Sequence, residues 1–233
     1  MSGQRGAGEG GRRGIAAALR KMVAARDAVD VALVFAADSS GSISNERMHM
    51  QIEGHAQAVT SERFLAAVAN LPLGRMALAY VAWSNHDRQQ YLVPWQVVDG
   101  PESAARWAHL LRNSVRPNAG FTSISGAIDF CTQELLNAAP PAGRRVIDIM
   151  GDGRNNDGRP VTEARDAAVA QGIVINGLPV LELDPHLDAY FDREVIGGPA
   201  CFVMPANDEQ GLVLAIRRKL LAETAGLAPT RHG

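Results

Sequence analysis

Asp38, Ser40 and Ser42 stand at alternating positions in the stretch Asp38-Ser39-Ser40-Gly41-Ser42. One carboxylate and two hydroxyls converging from a single turn offer hard oxygen donors, the kind that hold a divalent cation. Asp and Ser are also ordinary turn and cap residues, and Ser44 with Asn45 suffices to cap a following helix. The loop therefore gains meaning from two distant pieces, Thr122 shortly after Gly120 and Asp152 within Gly151-Asp152-Gly153.

The elements that must position these residues are legible as apolar runs and helical periodicities. Val31–Ala37 is a continuous apolar run, read as a strand buried on both faces, and it leads into a helical pattern from about Glu46 to Ala69. Met76–Trp83 and Tyr91–Val98 read as strands joined through His86-Asp87-Arg88, with Pro94 assigning the second to an edge. Pro101 starts a helix running to Arg112. The turn-rich loop 116–123 precedes a helix over Ile124–Leu136. Arg144–Met150 is a further buried strand, and a helix follows from Pro160 to Gln171, closed by Gly172. Ile173–Val180 reads as a strand, Leu187–Glu194 as a short helix and Cys201–Met204 as a last strand. Asp208–Ala222 closes the chain as a helix, with Arg217-Arg218-Lys219 near its end, where basic groups suit the dipole. Alternating strands and helices predict an α/β fold: one doubly wound, mainly parallel sheet with helices on both faces. The metal candidates then fall where such sheets bind ligands, outside the carboxyl ends of the strands.

Composition narrows the function classes. The 233 residues are 46% hydrophobic and 21% charged, with a formal net charge of −2. That balance provides no electrostatic drive toward nucleic acid or an anionic membrane, and no apolar run has the length of a membrane span. Cys131 and Cys201 lack metal-ligand spacing and read as buried thiols, with a disulfide as the alternative. The chain divides into a leader over 1–28, a domain over 29–224 and a tail over 225–233. The first 14 residues are Gly- and Arg-rich, as in a disordered leader. The apolar stretch Ile15–Leu19 is cut short by Arg20 and Lys21, too early for an export-signal core, and Ile15, Leu19, Met22 and Val23 fit one face of a short helix.

Asp148 lies inside a buried strand and reads as a structural acid satisfied by partners. The run Asp152–Gly158 superficially resembles a calcium loop, but Arg154 occupies a ligand position, which argues against it. The histidines at 49, 55, 86, 109, 186 and 232 form no zinc motif, and there is neither a phosphate-cradling loop nor a nucleophile elbow.

Together, Asp38-x-Ser40-x-Ser42, Thr122 and Asp152 resemble the metal-ion-dependent adhesion site of the von Willebrand factor type A (vWA) domain, over about residues 30–224. A narrower likeness, to the bacterial domain-of-unknown-function family 1194, is carried by Ala79–Ser84, Thr122–Ile128, Val146–Ile149 with Gly151–Gly153, Ile175–Pro179 and Val195–Pro199. Members of that family are usually exported, whereas this chain shows no clear export signal. The resemblance implies Mg²⁺, with Mn²⁺ or Ca²⁺ as alternatives, held directly by Ser40, Ser42 and Thr122. Asp38 and Asp152 then contact the ion directly or through water. It further implies a protein partner that completes the metal's shell with an Asp or Glu. The expected function is a non-enzymatic, metal-dependent protein-binding module. A metal-assisted hydrolase and an accessory subunit of a larger assembly are the alternatives.

Overall fold

In a computed structural model, the structure describes residues 27–115 and 120–226. Residues 1–26 of the leader, 116–119 of the loop before Thr122 and 227–233 of the tail lie outside the described residues, and with them Ile15, Leu19, Met22 and Val23.

Five strands form one sheet, β1 (Val29–Asp38), β2 (Met76–Trp83), β3 (Gln89–Val98), β4 (Ala142–Gly151) and β5 (Ile173–Pro179). Their spatial order is β3-β2-β1-β4-β5, with β1 parallel to β2 and β4, β4 parallel to β5, and only β3 antiparallel. The pattern is α/β and mainly parallel, as the sequence predicts. β3 is an edge strand, and its ladder with β2 shifts register between Leu78 and Val81, opposite the segment carrying Pro94. A proline without an N–H is tolerated at such an irregular edge.

Alternation along β1 builds the two halves of the core. Val31, Leu33, Phe35 and Ala37 face one layer, and Ala32, Val34 and Ala36 face the other. The first layer consists of α1 (Asn45–Val59), α2 (Glu62–Ala69), α3 (Pro101–Arg112) and, last in the chain, α7 (Glu209–Ala225). The second consists of α4 (Ile124–Asn137), α5 (Val161–Ala170) and α6 (Leu187–Tyr190), the last continued by one π-helical turn over Phe191–Val195. Cys131 packs in the second layer and Cys201 against the first, so the sheet separates them and both are free thiols.

Three sequence expectations change. The long helix over Glu46–Ala69 is two helices, because Thr60 turns its hydroxyl back onto the Ala56 carbonyl and Ser61 caps the second helix by accepting from Phe64 N. Cys201–Met204 is no strand; it meets β5 through an isolated bridge of Val203 with Gly177 and through the Phe202 amide, which donates to Asn176 Oδ1. Pro179 and Pro205 supply no N–H, so a continuous ladder cannot form there. Finally, α7 runs on to Ala225, where Gly226 takes a left-handed conformation (φ 68°), so the basic triplet sits mid-helix and Lys219 is buried. Among the described residues no helix is long and apolar enough to cross a membrane.

Candidate metal centre

The chain reverses its winding at β1: α1 leaves it toward one layer, whereas the connection into the neighbouring β4 runs through α4 on the other. The crevice at the carboxyl ends of β1 and β4 is the expected ligand position of such a sheet. Asp38 is the last residue of β1, and Asp152 follows the last residue of β4.

The first loop is pinned before it reaches its hydroxyls. Ser39 donates both its N–H and its Oγ–H to the Trp83 carbonyl at the end of β2, each at 2.8 Å. Asp38 Oδ1 accepts from Ser40 N at 2.7 Å, folding the turn back on its own carboxylate. Ser40 Oγ and Ser42 Oγ then lie 3.1 Å apart, and Ser42 Oγ donates to Asp152 Oδ1 at 2.8 Å. Four of the five candidates are thus joined in one hydrogen-bonded chain, 110 residues of sequence being bridged by the Ser42–Asp152 contact. Gly151 permits this closeness: a Cβ there would stand 3.3 Å from Asp38 Oδ2.

Thr122 joins from the third loop. Gly41 N donates to Gly120 O at 3.2 Å, tying that loop to the first. Gly120 has φ 117°, and a Cβ on it would fall 1.9 Å from Asn85 Oδ1, the atom that accepts from Phe121 N. Only glycine fits this backbone. Thr122 Oγ1 comes within 3.7 Å of where a Cβ on Gly153 would stand, beside Asp152.

Asn155 and Asn156 clamp the second and third loops together. Asn156 Oδ1 accepts from Thr122 N at 2.8 Å while Asn156 N donates to Thr122 O at 2.9 Å, and Asn155 Oδ1 accepts from Ser125 N at 2.9 Å. The run that superficially resembles a calcium loop therefore directs these side-chain oxygens to backbone amides. Arg47 is the other member missed from sequence. From the first turn of α1 its Nη1 donates to Asp152 Oδ2 at 2.8 Å, and its Nη2 contacts Glu182. The signal was present: Arg47, Gln51, Gly54, His55 and Ala58 share the buried face of α1. His55 packs edge-on against Phe35 and Tyr80, and burial lowers its pKa to about 4, so it is a neutral packing residue.

The donor set fits a small divalent cation. Two adjacent ligands on an octahedral shell of Mg²⁺, about 2.0–2.1 Å in radius, stand about 3 Å from each other. Ser40 Oγ and Ser42 Oγ have that separation. Among the described residues no group of three or more His, Cys, Asp and Glu is placed to hold a metal. The fit therefore rests on hydroxyls with two carboxylates beside them.

The sequence profile of the family described as "Protein of unknown function (DUF1194)" matches residues 28–228, most of the chain. The chain belongs to the DUF1194 family. No curated protein matches it. Solved structures show the fold of this DUF1194 chain to be that of vWA domains. Proximal thread matrix protein 1 from the mussel byssus, in a structure described as having a zinc occupied MIDAS motif, is 17% identical with a TM-score of 0.58. That match covers 84% of this chain and 48% of the mussel one. A von Willebrand factor type A structure from Catenulispora acidiphila is 16% identical (TM-score 0.56), covering 84% and 43%. The vWF domain of the type V pili tip protein Mfa5 from Porphyromonas gingivalis is 10% identical (TM-score 0.59), covering 88% and 98%. The DUF1194 chain thus spans about half the length of the mussel protein and 98% of the Mfa5 domain.

Proposed function

We propose that this chain is a divalent-metal-dependent protein-binding module, non-enzymatic, whose site is completed by a carboxylate of its partner. The observation that carries the reading is the meeting of two strand-end loops around two hydroxyls 3.1 Å apart, with Asp152 hydrogen-bonded to one of them and the Thr122 loop tied to the first through Gly41 N and Gly120 O. Ser40, Ser42 and Thr122 would hold the ion directly, with Asp38 and Asp152 balancing its charge beside them. Mg²⁺ is the leading candidate, because oxygen donors at this spacing suit it and it retains waters that a ligand can displace. The zinc occupied MIDAS motif of the mussel protein supports use of a divalent cation by this fold.

When bound, the metal supplies a fixed positive charge at the edge of the sheet. The chain's own residues make that charge selective. The hydroxyls are neutral donors that leave much of it unshielded, and Phe121, 62% exposed beside the site, offers an apolar rim. A neutral group would gain little by replacing water there, whereas a carboxylate gains Coulomb attraction. Turnover is not part of the proposal. Asp38 and Asp152 are engaged by an amide, a hydroxyl and a guanidinium, and buried His55 directs Nδ1 to the Gln51 carbonyl.

The test is selection of displayed peptides on the immobilised chain in Mg²⁺, with release by EDTA. Released sequences should be enriched in Asp or Glu, and matching amide peptides should fail to bind. Acid-independent binding, or binding indifferent to EDTA, would contradict the reading.

A further inference from the structure

Arg47 changes the charge of the site. Its side chain is 6% exposed and Asp152's is 0% exposed, with 2.8 Å between Nη1 and Oδ2. A guanidinium does not lose its proton in a protein, so the positive charge is permanent. Both oxygens of Asp152 are engaged, Oδ1 by the Ser42 hydroxyl and Oδ2 by Arg47. Two carboxylates beside a divalent ion balance it; adding Arg47 leaves a surplus of one positive charge. The outer partner of Arg47, Glu182, has a side chain 49% exposed, so solvent screens part of its compensation and the rest still offsets the guanidinium.

We infer that Arg47 sets the charge of the metal site, weakening its hold on the cation and thereby sharpening its demand for an anionic group from the partner. The inference rests on the metal-site reading above. An isolated pair of acids would bind the ion tightly and present a nearly neutral face. With Arg47 hydrogen-bonded to Asp152, the loaded site stays cationic, and a ligand carboxylate restores balance. The buried bond to Asp152 fixes the guanidinium at the site, so the charge cannot turn away into solvent as one on a surface side chain would.

The test is calorimetric titration of the intact chain with Mn²⁺, comparing wild type with Arg47→Gln, Arg47→Lys and Glu182→Gln. Glutamine keeps a donor but removes the charge, and should bind Mn²⁺ at least tenfold more tightly. Lysine keeps the charge and should stay within about threefold of wild type. Glu182→Gln changes a half-exposed residue that should not disturb folding, and by removing the compensating charge it should weaken binding several-fold. This variant decides the matter should Arg47→Gln fail to fold. Equal or weaker Mn²⁺ binding by Arg47→Gln, tighter binding by Arg47→Lys, or an unchanged Glu182→Gln would overturn the role of Arg47 while leaving the metal site intact. Absence of Mn²⁺ binding by every protein would overturn the metal-site reading itself and this inference with it.

Discussion

Lys219 Nζ lies 2.8 Å from Asp148 Oδ1, with the two side chains 1% and 5% exposed, so an ion pair joins α7 to the middle of β4. Glu223, one turn further along α7, accepts from the same ammonium and from Asn176 Nδ2 on β5, while Asn176 Oδ1 accepts from Phe202 N. Removing one member of a buried ionic cluster leaves the others uncompensated, at a cost of about 3–5 kcal/mol. Lys219→Met should therefore lower unfolding stability by about that much in urea titrations. A loss under about 1 kcal/mol would mean that solvent reaches the cluster.

The same cluster should shape the pH dependence of stability. Burial, reinforced by the Asp148 charge, raises the Glu223 pKa from its ordinary 4.5 to about 7, and burial also raises that of Asp148. Between those two pH values the unfolded chain releases a proton that the folded chain keeps. The Glu223 contribution to stability should accordingly be lost as pH rises from about 4.5 to about 7, while buried neutral His55, its pKa lowered to about 4, contributes in the opposite sense. Glu223→Gln keeps an acceptor for Lys219 and Asn176 without the titration. Urea midpoints measured across that range should rise for the variant relative to wild type. Parallel curves would refute the assignment.

Gly120 is the backbone hinge of the Thr122 loop. With φ at 117° and Asn85 Oδ1 only 1.9 Å from any added Cβ, Gly120→Ala must displace the loop. Holding the strained conformation would cost about 1–3 kcal/mol. The variant should stay folded, because the loop lies outside the core, yet bind Mn²⁺ at least tenfold more weakly. Wild-type affinity in a folded Gly120→Ala protein would separate this loop from the site.

Asn156 should behave as a positioning residue. Replacement by Ala removes the acceptor for Thr122 N, and Thr122 is only 7% exposed. An amide left unsatisfied there costs about 1–3 kcal/mol. Thermal unfolding should report that loss, and Mn²⁺ affinity should fall while Asn156→Asp, which keeps the acceptor, recovers most of both. Equal impairment of the two variants would show that the acceptor for Thr122 N is not what positions the loop.

Most of the architecture was legible because apolar runs mark the buried strands and a proline start with helical periodicity marks a helix: Met76–Trp83 and Pro101–Arg112 have the same limits in sequence and structure. Asp38, Ser40, Ser42 and Asp152 were legible because they lie where such runs end, whereas Thr122 sits in a turn-rich loop between two helices. The rest depended on contacts without a local trace. Arg47 shares the spacing of the buried face of α1, but nothing local marks Asp152, 105 positions away, as its partner. Lys219 reads as a basic residue near a helix end, since nothing local marks the three further residues to Ala225 or the acid waiting on β4. The break at Thr60-Ser61 turns on a choice of hydroxyl partner, which helical periodicity does not register.

The central claim is that hydroxyls from two separate loops hold one divalent ion. Its most direct measurement is Mn²⁺ calorimetry on wild type, Ser40→Ala and Thr122→Ala, each checked by circular dichroism. The account predicts one site in the wild type and at least a tenfold loss of affinity in each variant, with folding retained. Unchanged affinity in both folded variants, or no Mn²⁺ binding by the wild type, would contradict it.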